Sequence, residues 1–264
     1  MDITQVALFV LLFAAGAQTP LVALFALRRR RTLLVVLGPY ALLVPLAIAL
    51  GNAVDAPTRL GLLALAVAPA ELAAPGIAGA IRARIDTTGA YLAGTVAISF
   101  ALTFAFMGAS APDALRPARD GAFAFLLGMS FGGALPTIRD RYLTPLRRLA
   151  DLALIVLIVV AITGAWAHLG GIAVALALLM LVAGAAAAVV AAGVGGGHQW
   201  SALVGSGSRD FAVAATVAGA ASPAAAVVPL VYGALLFLGA ALLVLLRRQD
   251  AGPPGSRDAE PGRR

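Results

Sequence analysis

Glu71, Arg209 and Asp210 are ionisable side chains set inside long apolar runs, where other charges are rare. A charge at the bilayer centre costs at least about 2.5–3.5 kcal/mol, so intramembrane charges face a protein interior or a cavity and mark ligand or ion pathways. Glu71 lies between Pro69 and Pro75 in LLALAVAPAELAAPGIAGAI. Arg209 and Asp210 follow Gly205-Ser206-Gly207-Ser208 in HQWSALVGSGSRDFAVAATVAGA. Proline removes a backbone donor and kinks a helix, and glycine weakens one. In hydrocarbon such breaks persist where protein or a water-filled cavity satisfies the freed groups. The chemistry this pattern allows is binding. An arginine beside helix N-termini suits an anion; carboxylates and unwound carbonyls suit a cation such as sodium. Glu71, Ser206, Ser208, Arg209 and Asp210 are therefore the candidate substrate and ion site. The bland alternative is a Glu71–Arg209 ion pair that merely ties two segments together.

Other polar residues carry less. Gln18, Thr19 and Pro20 form a polar kink in the first apolar run, and Gln18 either lines a cavity or bonds a neighbouring helix. Thr95, Ser99 and Thr103 recur every fourth residue and share one helix face, which serves helix packing or, at Thr95, a ligand. Gln18 and Thr95 complete the candidate set. Asp151 is expected to form an interfacial salt bridge with Arg147 or Arg148. His168 and His198 are far apart and match no metal-ligand spacing, while Trp166 and Trp200 read as interfacial anchors. Gly195-Gly196-Gly197 lacks the Lys-Ser/Thr sequel of a phosphate-binding loop.

The elements that must position these residues are spanning helices. Hydrophobic residues make up 61% of the 264-residue chain and charged ones 12%, and mean hydropathy is +0.98. Soluble domains carry about 45–50% and 25% respectively, so lipid is the expected solvent. Nine runs are long enough to cross about 30 Å of hydrocarbon: 4–27, 33–51, 60–81, 89–108, 119–137, 148–167, 171–193, 199–220 and 224–246. The first is read as a span rather than a signal peptide, because its arginines follow the apolar stretch. All 19 basic residues are arginine. Arg28 to Arg31, Arg82, Arg84, Arg139, Arg141, Arg147, Arg148, Arg247 and Arg248 then fall on one side of the membrane, which becomes cytoplasmic. The N-terminus is outside and the C-terminus inside. Residues 1–248 form one polytopic domain, and 249–264 a disordered cytoplasmic tail. The net charge of +7 reflects these topology signals, not a nucleic-acid face. The absence of cysteine excludes disulfides and thiolate chemistry.

The two interrupted runs are the third and the eighth. Runs 1–4 and 6–9 then form two inverted units, lying within about 4–108 and 119–246. Inverted repeats with broken helices at matching positions are the architecture of secondary transporters, whose site lies at the crossing.

AGAQTPLVALFALRRRRTLL in the first run, APAELAAP in the third, and GSGSRDFAVAATVA followed by VPLVYGALL in the last two resemble the bile acid:sodium symporter family, which shares a superfamily with the arsenite transporters. The resemblance implies an all-α membrane fold of two inverted repeats forming a panel and a core, and cotransport of organic anions, often with sodium. Sodium-binding members carry a Glu-Thr-Gly stretch before a Gln-Asn or Arg-Asn pair. Here Gly205 to Asp210 stand there, without the leading acid. Glu71 or Asp210 would replace it near a sodium ion, or would titrate and couple to protons.

The expectation is a secondary active transporter, symporter-like, that moves a small organic anion across the cytoplasmic membrane with sodium or protons. No cofactor beyond a coupling ion and no enzymatic constellation is expected. The rival reading is a non-transporting membrane sensor or assembly partner on a degenerate transporter fold.

Overall fold

Described in a computed structural model are residues 3–19, 25, 28–108, 111–168, 170–196 and 198–249. Pro20 and the tail from 250 onward lie outside them. Among the described residues every regular element is a helix. These are α1 (Ile3–Gln18), α2 (Arg30–Gly51), α3 (Ala56–Val67), α4 (Ala74–Ala80), α5 (Ile85–Met107), α6 (Pro112–Ala134), α7 (Pro136–Ala165), α8 (Gly171–Gly195), α9 (Gln199–Ala202), α10 (Phe211–Ala221) and α11 (Val227–Gln249). A π-helical turn, Leu203–Gly207, follows α9, and 3-10 turns span Trp166–His168 and Pro223–Ala226.

Among the described residues, four helical stretches are long and apolar enough to cross a membrane: Arg30–Gly51, Thr87–Met107, Gly171–Gly195 and Pro223–Leu246. Their outward faces are apolar as well. Leu178, Val182 and Val190 on α8, and Leu238, Leu242 and Leu245 on α11, are all exposed. On α7 the same is true of Leu149, Leu152, Ile155, Val159 and Ile162, a stripe at helical spacing. Contiguous apolar surface of this kind is a poor match for water and a good one for lipid. The chain is a helical membrane protein.

The helices divide into two groups. α1 packs along α6 and α7. Glycines bring the first pair together: a Cβ at Gly128 would collide with the Phe13 carbonyl, so α6 presses backbone against backbone on α1. Small residues at helix contacts allow such approach in a membrane. The second group holds α2, α3, α5, α8 and α11, with α2 against α8 and α3, and α11 against α8. Between the groups, α6 meets α5 and α10.

The interruptions fall where the sequence suggests, at a proline in the first and after the Gly-Ser run in the second. α3 stops at Val67, one residue before the Ala68-Pro69 peptide, because the residue preceding proline is biased away from the helical region. Ala68 is extended (φ −57°, ψ 152°), and the chain resumes helix at Ala74. On the other side, the wide turn ends at Ser208, extended at φ −81°, ψ 148°, and α10 begins at Phe211.

Candidate functional site

The two interruptions cross. The Asp210 amide donates to the Pro69 carbonyl at 2.9 Å, and the Leu72 amide donates to Asp210 Oδ2 at 3.3 Å. Asp210 Oδ1 accepts from the Val213 amide at 2.7 Å, so the same side chain is also the N-cap of α10. An aspartate just before an apolar helix is a strong N-cap. Here its second oxygen reaches the other broken segment.

Surrounding side chains satisfy the remaining backbone groups. Thr95 Oγ1 accepts from the Ala70 amide at 2.9 Å and donates to Leu92. The Tyr40 hydroxyl lies 3.1 Å from the Ala68 carbonyl and 2.9 Å from that of Thr95. The Arg209 amide donates to the Tyr232 hydroxyl at 2.9 Å. Non-helical backbone at membrane depth survives because protein groups have replaced the lost ladder.

Arg209 is held on two sides. Its guanidinium carbon lies 4.0 Å from the Tyr40 ring centroid, a cation–π contact. Nη1 donates to the Ala68 carbonyl at 3.2 Å. Nε and Nη2 are buried and make no hydrogen bond with a described residue. These two form the side-on edge of the guanidinium, the fork that matches a carboxylate with two parallel bonds. Glu71 is arranged in the same half-satisfied way. Oε1 accepts from the Ala73 amide at 3.3 Å, and Oε2 is buried without a partner. Arg209, Glu71 and Asp210 are 0%, 1% and 1% exposed. The proposed Glu71–Arg209 tie is not formed: among the described residues the one salt bridge is the surface pair Arg119–Asp120 at 2.9 Å. Such orphaned polar groups are costly in a low-dielectric interior.

The rest of the expected set divides. Ser206 Oγ donates to the Val35 carbonyl at 2.6 Å and fastens the turn to α2. Ser208 Oγ donates to Val204 at 2.6 Å within its own turn. Both hydroxyls are spent on backbone. Gln18 is exposed at the end of α1, its Nε2 bonded to the Ala14 carbonyl, and does not join the centre. Thr95 joins it as a clamp. Asp151 is exposed and makes no ion pair with a described side chain; the side chain of Arg147 lies outside those described. His198 Nε2 sits 2.8 Å from Arg84 Nη1. Among the described residues no group of three His, Asp or Glu side chains could hold a metal ion.

Glycines at the second interruption have a packing reason. A Cβ at Gly184 of α8 would lie 2.6 Å from the Gly207 carbonyl, so only glycine lets α8 approach the turn this closely.

Tyr40 and Tyr232 were absent from the expected set. The available signal was four tyrosines in the whole chain, these two standing in mid-run. A buried phenol needs a hydrogen-bond partner, and a bare helix core supplies none.

Two cavities lie along the seam between the helix groups. One of about 30 Å³ is bordered by Ala68 and Pro69 of the first interruption, Ser99 and Thr103 of α5, Gly121 of α6 and Val213 of α10. That volume exceeds the roughly 10–15 Å³ a water needs. Another of about 450 Å³ runs between α1, α6, α7 and α10, with Gln5, Asp113, Arg116 and Thr216 on its wall. Both touch Pro117.

No protein-family model matches this chain, and no curated protein matches its sequence.

Proposed function

We propose that this chain is a secondary active transporter that moves a small organic anion across the cytoplasmic membrane, coupled to sodium or protons. The observation that carries the reading is the free side-on edge of a fully buried arginine at a crossing of two broken helices. A structural tie would pair that arginine. A binding site keeps it ready, because a carboxylate arriving there exchanges an unsatisfied donor pair for two charge-assisted bonds.

In this reading Arg209 holds the anion. Glu71, with one oxygen free, handles the cation. Asp210 has both oxygens committed to backbone amides, so it is a positioning residue that holds the two half-helices in register. Ser206, Ser208 and Thr95 support the same frame.

The proposed topology has nine spans: α1, α2, α3 with α4, α5, α6, α7, α8, α9 with α10, and α11. Its inverted units, about 4–108 and 119–246, each contain one interruption. The N-terminus is outside and the C-terminus cytoplasmic. The α1–α6–α7 group is the panel, and the remaining helices are the core of a bile acid:sodium symporter-like fold. The seam cavities support this division. Access from the Asp113–Arg116 end would run down the larger cavity towards Ala68 and Pro69, and movement of one group against the other would alternate the exposure of the crossing.

The test is uptake of labelled carboxylates, bile acids among them, into vesicles containing the protein. Each is run with an inward sodium gradient, a proton gradient or neither. Uptake that follows one gradient in the wild type and collapses in Arg209→Ala is expected. Gradient-driven uptake with unchanged affinity in Arg209→Ala overturns the assignment of the anion site. No uptake of any carboxylate, together with no binding of any to purified protein, overturns transport.

A further inference from the structure

A third cavity, of about 280 Å³, has no part in that pathway. It opens on the outer side of the core between α4, α8, the Leu203–Gly207 turn and α11. Its walls are apolar: Ile77, Leu181, Leu203, Val204, Leu236 and Leu243. Small residues make the space. Gly239 is exposed on its wall, and a Cβ there meets no atom within 4 Å. The flanking α11 residues Leu238 and Leu242 are exposed, so the groove is continuous with the apolar outer face of the helices.

An arginine follows the residues that close one end of the groove. Ile77 and Leu243 pack against the cluster of Ala74, Ile81 and Val204, and Arg82 follows Ile81 directly. Arg82 is exposed and makes no side-chain hydrogen bond or salt bridge with a described residue. Its backbone is left-handed, at φ 59°, in contrast to every other described non-glycine residue. The amides of Arg82 and Ala83 donate back to Gly79 and Ala78, the helix-end geometry normally given to glycine. A non-glycine residue in that region is strained. The turn ends α4 sharply and puts exposed Arg82 one residue beyond Ile81, which clusters with the groove residues Ile77, Val204 and Leu243.

We propose that this groove is a binding site for an anionic phospholipid, with an acyl chain along Ile77, Leu203 and Leu243 and the phosphate at Arg82. Apolar walls facing hydrocarbon suit a lipid tail, and an exposed arginine next to Ile81, which packs with the groove residues, suits an anionic headgroup. The lining includes Gly207 and Ser208, so a bound chain packs against the second interruption. The site depends on the chain lying in a membrane and not on its transporting anything.

The test uses full-length protein in phosphatidylcholine nanodiscs doped with phosphatidylglycerol that carries a photoreactive acyl chain. After irradiation the labelled peptides are mapped. Label is expected at Ile77, Leu203 and Leu243, and to exceed that from a matched photoreactive phosphatidylcholine by about fivefold, the weight of one basic residue at an anionic surface. Gly239→Phe fills open space and should remove this label, whereas Leu178→Phe on the outer face of α8 should not. Arg82→Gly relieves the backbone strain, and should bring the two lipids to equal labelling. Equal labelling of both lipids in the wild type overturns the proposal, as does label spread evenly over α8 and α11. These wild-type arms decide the matter even if Gly239→Phe does not fold.

Discussion

The backbone amide of Asp210 donates to the carbonyl of Pro69 at 2.9 Å, so each broken helix is completed by the other at the point where its own ladder fails. The Asp210 carboxylate extends the same exchange, capping α10 with one oxygen and taking the Leu72 amide with the other. The crossing is a mutual repair of backbone in a medium that offers no water to do it.

Replacing Asp210 tests that repair. In Asp210→Asn one side-chain oxygen still caps α10, but an amide NH2 then faces the Leu72 amide. A buried donor left unsatisfied costs about 1–3 kcal/mol, and thermal unfolding in detergent should shift down accordingly. Uptake should fall under either gradient. A variant as stable as the wild type would show that the second oxygen holds nothing.

Arg209→Lys keeps the charge and loses the fork. The KM for a transported carboxylate should rise about tenfold or more, the weight of one charge-assisted hydrogen bond of about 1.5–3 kcal/mol. Arg209→Ala should lose more, since it also removes the stack on Tyr40. Equal KM values in Lys and wild-type protein would mean that the Nε–Nη2 edge does not meet substrate.

Glu71→Gln preserves an oxygen for the Ala73 amide and puts a group that cannot ionise in place of Oε2. Stability should be unchanged or higher, because a permanently neutral group carries no cost of burying a charge. Accumulation against a gradient should disappear while equilibration of substrate persists. If gradient-driven accumulation survives, the coupling ion is held elsewhere.

Thr95→Val and Tyr232→Phe each strand one buried amide, that of Ala70 in the first case and of Arg209 in the second. Each should destabilise by about 1–3 kcal/mol, measured as loss of thermal stability. Neither hydroxyl bonds the Arg209 Nε–Nη2 edge or Glu71 Oε2. Substrate KM should therefore change less than in Arg209→Lys; a larger change at Thr95 would make it a ligand rather than a clamp.

Much of the centre was legible because charge in an apolar run is conspicuous. Glu71, Arg209 and Asp210 were found by that signal alone, and Pro69 and the Gly-Ser run marked where the helices break. The bonds of Ser206 and Ser208 were not legible, since a hydroxyl's partner depends on which carbonyl stands nearby, and only the fold brings Val35 to Ser206. The setting of Gln18 was not legible for a related reason. A polar residue near the end of an apolar run reads the same whether it faces a cavity or lies exposed. Tyr40 is separated from Arg209 in sequence by three helices and more, so no local pattern links the ring to the guanidinium.

By itself, the sequence determined that this is a helical membrane protein, where its helices pause, and which charges are too costly to be there by accident. Those follow from composition and local backbone chemistry, which act over a few residues at a time. The tertiary structure decided what each charge does: Asp210 satisfied on both oxygens, Glu71 on one, Arg209 with a whole edge free. That division depends on distances between segments some 140 residues apart in the chain, such as Leu72 and Asp210. Hydrogen bonds act only over about 3 Å, so no amount of local pattern assigns them before the two broken helices are brought together.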